Sequence, residues 1–253
     1  MISRFIHIRR ISLSMLVMAG AAGSAAAGRA SGGGPRDILD RAITQAGGAQ
    51  ALERARALTW DGEATINGGG RTVRIAGNWA VQAPDTAVVA TWDVTRGPQT
   101  MRALVVAAPR GWLWSPASFA PMPAAMLASE RDEFYLYDVM RLVPLRDADV
   151  TLTAIPPDST GQRGFRAERP GRPAIDLFVD GDGRLSHLRT TIDNAEGGEP
   201  VRQDVWLRGT LEAAGIRWPA RITILQNGEP FFDLTLSNLR VLDRIDDARL
   251  RGP

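Results

Sequence analysis

Between residues 58 and 66 polar and apolar side chains alternate: Leu58, Trp60, Gly62, Ala64 and Ile66 are apolar or small, and Thr59, Asp61, Glu63 and Thr65 stand between them. A period of two belongs to a strand with one dry and one wet face, and a helix cannot satisfy it. Asn67-Gly68-Gly69-Gly70 then supplies a hairpin turn, after which Val73, Ile75, Gly77, Trp79 and Val81 resume the inward phase against Thr72, Arg74 and Asn78. Residues 86–94 and 101–107 read as strands that are apolar on both faces, as expected where a second layer covers the sheet.

The same grammar continues to the end of the chain, with strands expected over 150–155, 164–168, 174–179, 185–192, 201–208, 216–225 and 231–241. Asp180-Gly181-Asp182-Gly183, Gly197-Gly198-Glu199-Pro200 and Asn227-Gly228-Glu229-Pro230 are turn sequences between them. Consecutive hairpins make antiparallel neighbours, and a sheet of about ten strands must curl.

Two segments break the pattern. A helix opening at Pro35 places Ile38, Leu39, Ala42, Ile43 and Ala46 on one face and ends at Gly47-Gly48, with a further helical turn over 49–56. Residues 124–143 read as a second helix, with Tyr135, Leu136, Val139, Met140, Leu142 and Val143 on a broad apolar face and Glu130, Arg131, Asp138 and Arg141 opposite. The expected fold is therefore mainly β: one domain over 36–253, a strongly curved antiparallel sheet or half-barrel, with a short N-terminal helix and a mid-chain helix over its concave face. No repeat of 20 to 50 residues points to a propeller or solenoid.

The first residues carry an address. Arg4, Arg9 and Arg10 precede an apolar or small stretch over 11–22, and Ala25-Ala26-Ala27 offers small side chains for cleavage, the arrangement of a secretory signal peptide over 1–27. Residues 28–35 read as a flexible leader. Export to the periplasm follows, by the general secretory or the twin-arginine route. No stretch approaches the roughly 20 apolar residues that a membrane-spanning helix needs. The chain has no cysteine, which removes disulfides, thiolate catalysis and cysteine metal sites. Its 30 basic residues face 28 acidic ones, and three of the former lie in the signal peptide. The near-neutral remainder, with arginines interleaved among acids, shows no basic face for nucleic acid.

Catalytic and metal-binding constellations are not recognisable, and no cofactor is implied. His187 is the one histidine beyond the leader, too few for a multi-histidine zinc site, and it reads as a solvated or structural strand residue. Depending on the hairpin register, Asp176 faces either His187 or Arg189. The strongest functional lead is aromatic. Trp60, Trp79, Trp92 and Trp218 fall on the apolar phase of their strands, and with Met126, Leu136 and Met140 from the mid-chain helix they would either fill a core or line a cavity.

Gly47-Gly48 with Leu52 before Leu58-Thr59-Trp60-Asp61-Gly62-Glu63, the Asp180-Gly181-Asp182-Gly183-Arg184 hairpin, and Gly215-Ile216-Arg217-Trp218-Pro219 leading into a strand together resemble the periplasmic lipoprotein-carrier family of LolA and LolB. The resemblance covers most of residues 36–250. It implies a half-open barrel closed by helices over an apolar cavity that receives acyl chains, although no counterpart of that family's functional arginine is assignable. The expected partner is an apolar small molecule, a lipid or an acylated protein. The competing expectation is a non-catalytic interaction or sensing module with a filled core, and a carboxylate-based hydrolase comes third.

Overall fold

The computed structural model describes residues 33–194 and 198–252, so the signal peptide expected over 1–27 lies outside the described residues. Helix α1 (Pro35–Gln45) begins with proline, whose missing N–H costs nothing at that position, and the Asp37 carboxylate accepts the Gly34 N–H at 2.8 Å. Helix α2 (Ala49–Arg54) follows at once, so the expected extra helical turn is an element of its own. The turn between them needs glycine: Gly47 has φ 117°, and a Cβ there would lie 2.1 Å from the Gly215 carbonyl oxygen.

The strands are β1 (Ala57–Gly68), β2 (Arg71–Gln82), β3 (Thr86–Asp93), β4 (Arg102–Ala107), β5 (Arg110–Ser115), β6 (Ser118–Pro121), β7 (Thr151–Ala154), β8 (Arg163–Glu168), β9 (Ile175–Val179), β10 (Leu185–Ile192), β11 (Val201–Arg208), β12 (Leu211–Ala213), β13 (Ile216–Trp218), β14 (Arg221–Gln226) and β15 (Glu229–Leu242). Pro219 splits the strand expected over 216–225 into β13 and β14, because a proline cannot donate to the ladder. Thirteen of these strands form one antiparallel sheet in the order β6-β5-β4-β3-β2-β1-β15-β14-β11-β10-β9-β8-β7, and β12 pairs with β13 alone. The first and last strands of the chain thus meet in its middle.

That order fixes the place of helix α3 (Ala124–Met140). The chain leaves the sheet at one edge, β6, and re-enters at the other, β7, so the connecting segment has to cross the sheet. The helix stops three residues before the expected 143: Leu142 turns to φ 63° ahead of a 3-10 turn, Val143–Arg146, in which Pro144 forbids continuation. Asp85, in the β2–β3 turn, ties the crossing down. It accepts from Arg131 of α3 at 3.0 Å and from Arg172 of the β8–β9 turn, so both arms of the half-barrel and the helix share one ion cluster. Burial works to raise the Asp85 carboxyl, but the two guanidiniums prevail and hold it below the usual range.

The concave face follows the alternation read from the sequence. Trp60 pairs with Trp79, Leu58 with Val81, and Ala64 with Ile75, with Leu234 and Leu236 of β15 alongside. Gly62 faces Gly77 in the same rows. A Cβ on Gly62 would meet the Trp79 ring at 2.9 Å, so this glycine makes room for the indole. Residues of α1, α2 and α3 complete this core. A second, smaller core lies on the convex side of β3–β5, where Val88, Ala90, Ala103, Val105 and Trp112 are covered by Ile245 and Leu250 of the C-terminal segment.

Candidate ligand-binding mouth

Three of the four tryptophans expected on one face are together. Trp60 is fully buried, 6.5 Å from Trp218 and 5.3 Å from Tyr137 between ring centroids, and Trp79 stands beside it. Leu136 and Met140 are buried in the same core, and Met126 packs against it half-buried. Trp92 is not among them. It pairs with Ala76, out of phase with the Trp79–Val89 pair, and so stands on the convex face. Alternation could not decide the phase of β3 because the second core makes its outer face apolar too.

The packing around these residues leaves little space. A pocket of about 70 Å³ remains beside Met140, Trp218, Leu142 and Leu207, two or three waters in size and too small for an acyl chain. The large opening is at the other end of the channel. There the amino-terminal half of α3 and described residues of three hairpins, β1–β2, β10–β11 and β14–β15, surround a cleft of about 910 Å³. Ile192, Val201, Pro230 and Phe231 give it an apolar wall, and Ser129, Glu130 and Glu133 reach it from the helix.

The apolar face expected of the helix is buried, Tyr135, Leu136, Val139, Met140, Leu142 and Val143 included, but residues expected opposite it are inside as well. Asp138 and Arg141, expected outside, are buried and paired at 2.7 Å, with Arg141 also donating to the Leu52 carbonyl. Glu130, likewise expected outside, faces the cleft. Met126, Glu130, Glu133, Tyr137 and Met140 recur at i, i+4, i+7, i+11 and i+14, which is one stripe of a helix. That spacing is the sequence signal that could have placed both glutamates inside. Burial pushes Glu130 up to about 7, with the Glu133 charge adding to the shift. Burial likewise pushes Glu133 up to about 6, even though its Oε1 accepts from Gln203 Nε2 at 2.5 Å. Tyr137, deeper on the stripe, is held above the ordinary tyrosine range by burial.

On the convex face of the opposite arm His187 is buried, the structural rather than the solvated of the two expected roles. Its ring stacks on Trp206 with centroids 3.9 Å apart and on Phe178 at 5.0 Å. Its nitrogens meet Asp158 at 3.2 Å and Asp204 at 3.1 Å. Asp176 faces Arg189, which resolves the register, and bonds to Arg166 through two contacts. Every group here has a partner in the wall itself, so the assembly is a cross-strand staple. Among the described residues no group of His, Asp and Glu is arranged to hold a metal ion, and no helix is long and apolar enough to cross a membrane.

No protein-family model and no curated protein matches the sequence. Solved structures do. A DUF1329 family protein from Desulfovibrio piger superposes with a TM-score of 0.53 at 14% identity, covering 85% of this chain and 96% of its own. A LolA superfamily protein from Nitrosomonas europaea gives 0.53 at 9% identity, covering 87% and 98%. A presumed outer membrane lipoprotein-sorting protein domain from Vibrio parahaemolyticus gives 0.50 at 10% identity, covering 79% and 96%. At these identities the likeness establishes architecture: the half-barrel crossed by α3 is a LolA-like fold.

Proposed function

We propose that this chain is an exported carrier of the cell envelope that takes an apolar or amphipathic molecule, a lipid or the acyl chain of an acylated protein, between its curved sheet and α3. The observation that carries this reading is the cleft of about 910 Å³ at the open end of a half-barrel whose other end is packed shut. Ligand pockets commonly enclose about 300–1,000 Å³ behind mostly apolar walls. Phe231 both lines the cleft and packs on the core, so the apolar surface is continuous inward. Trp60, Trp79, Trp218, Met126, Leu136 and Met140 act as the packed floor behind the site. Export rests on the sequence of residues 1–27, and mass spectrometry of periplasmic protein should find a chain starting at Gly28. An intact Met1 in soluble cytoplasmic protein would overturn the localisation.

The binding test is calorimetric titration of the exported protein with twelve-carbon amphiphiles below their micelle-forming concentrations. Saturable binding is expected, and Ser129→Trp, whose indole would occupy the cleft, should weaken it by about tenfold or more, which is about 1.4 kcal/mol. The filled core around Trp60 favours one other reading, an interaction module whose cleft receives a peptide. That reading stands alone if no amphiphile of any head group binds.

A further inference from the structure

From the make-up of the mouth we infer that the ligand's polar end is a primary ammonium group, a cationic head with N–H donors, received by Glu130, Glu133 and Gln203. This rests on the carrier reading and adds the chemistry of the head group. Glu130 and Glu133 are one turn apart on the stripe of α3 that faces the cleft. Neither is engaged in an ion pair among the described residues, although 15 arginine–carboxylate contacts elsewhere hold other carboxylates. Arg131 and Arg172, the nearest guanidiniums on α3 and the β8–β9 turn, are committed to Asp85. Among the described residues, the remaining ionisable groups lining the mouth are Asp193, Glu229 and one cation, Arg71, exposed near the β1–β2 tip. Tyr137 lies below them on the stripe. The opening is thus acidic on three of its sides.

The independent observation is Gln203. It is fully buried on the inner face of β11, one inward position deeper than Val201 and in register with Gln226, both of which line the cleft. Its Nε2 is used by Glu133, and its Oε1 has no hydrogen-bond partner among the described residues. A buried carbonyl oxygen without a donor is destabilising until something supplies one. Beside it are two carboxylates that accept only. Two carboxylates, only one of them served by a side-chain amide, and one buried oxygen without a donor describe the complement of an –NH₃⁺ group, which has three donors and one positive charge. A quaternary ammonium would satisfy the charge but leave the Gln203 oxygen unserved, and a carboxylate or phosphate head would be repelled. The alkyl part would lie on Ile192, Val201 and Phe231.

The test compares dodecylammonium, dodecyltrimethylammonium, dodecanol and dodecanoate as calorimetric ligands of the full exported protein at about pH 8 and about pH 5. At the higher pH both carboxyls are ionised, and dodecylammonium should bind about tenfold tighter than dodecanol and dodecyltrimethylammonium, with dodecanoate weakest. The preference should narrow at the lower pH, where the two carboxyls are protonated. Glu130→Gln and Glu133→Gln should each erase most of the preference while dodecanol still binds and circular dichroism still shows the fold. Glu212→Gln, an exposed carboxylate on β12 far from the mouth, should keep it, which excludes a general attraction to an acidic surface. Equal affinity for dodecanol and dodecylammonium, or a preference that survives both mouth variants, would overturn this inference and leave the carrier reading intact. Failure of every probe, dodecanol included, would sink the carrier reading itself.

Discussion

At its closed end the channel between sheet and helix is filled: Trp60 lies fully buried against Tyr137 and Trp218, and Met140 leaves a pocket of about 70 Å³. At the mouth, about three turns earlier on the same helix, Ser129, Glu130 and Glu133 border about 910 Å³. Strands and helix are shared, so the difference comes from what else is packed there. Tyr135, Leu136, Asp138, Val139 and Met140 are buried, and α2 packs on the 3-10 turn that follows them, whereas α3 residues from 124 to 134 are at most partly buried. One helix alone cannot fill the mouth of a sheet this wide. The unfilled half is where polar groups could be spent on recognition rather than stability.

The largest expected effect lies at the filled end. Trp60→Ala should cost about 3–5 kcal/mol in denaturant unfolding, since it removes a large aromatic from a site that cannot collapse. Its counterpart at the mouth, Val201→Ala, should cost about 1 kcal/mol or less; similar losses for the two would break the contrast.

Next comes pH. Glu130 and Glu133 bind protons more tightly in the folded protein than in the unfolded chain, so the stability they contribute is present below their unfolded range and lost as pH rises through about 6 to 7. Unliganded protein should lose on the order of 2 kcal/mol between about pH 5 and about pH 8, and the double change to glutamine should flatten the curve. Arginine-paired carboxylates such as Asp85 and Asp233, whose values are depressed, act in the opposite sense and only below about pH 4. A flat wild-type profile across that window would show that the mouth does not desolvate its glutamates.

Smaller again, Asp85→Asn should cost about 1–2 kcal/mol, because two arginines lose a shared anion. Hydrogen exchange should then quicken in the first half of α3 and not in the second. The least effect is expected from Trp92→Ala, which should leave amphiphile affinity within about twofold, since the residue lines a separate convex groove of about 780 Å³.

Much of this architecture was legible in the residues. Alternation from Leu58 to Ile66, glycine-rich turns and two helical interruptions led to a curved antiparallel sheet, because a half-buried strand has to write its two faces into the sequence. The mouth was not legible by hydrophobicity. Glu130 and Glu133 resemble surface residues in composition, and only their spacing with Met126, Tyr137 and Met140 places them inside. Trp92 was misplaced for the reverse reason: the outer face of β3 is apolar because residues as distant as Ile245 and Leu250 cover it. For His187 the sequence left solvated and structural roles open, because its partners Asp158 and Asp204 come from a loop and another strand that no local pattern connects.

The most direct test of the proposed ligand mouth is a crystal structure of residues 28–253 with dodecylammonium. The account predicts the alkyl chain along Ile192, Val201 and Phe231, with nitrogen within hydrogen-bond distance of Glu130, Glu133 and the Gln203 oxygen. An alkyl chain on the convex groove beside Trp92, with the mouth empty, would contradict it.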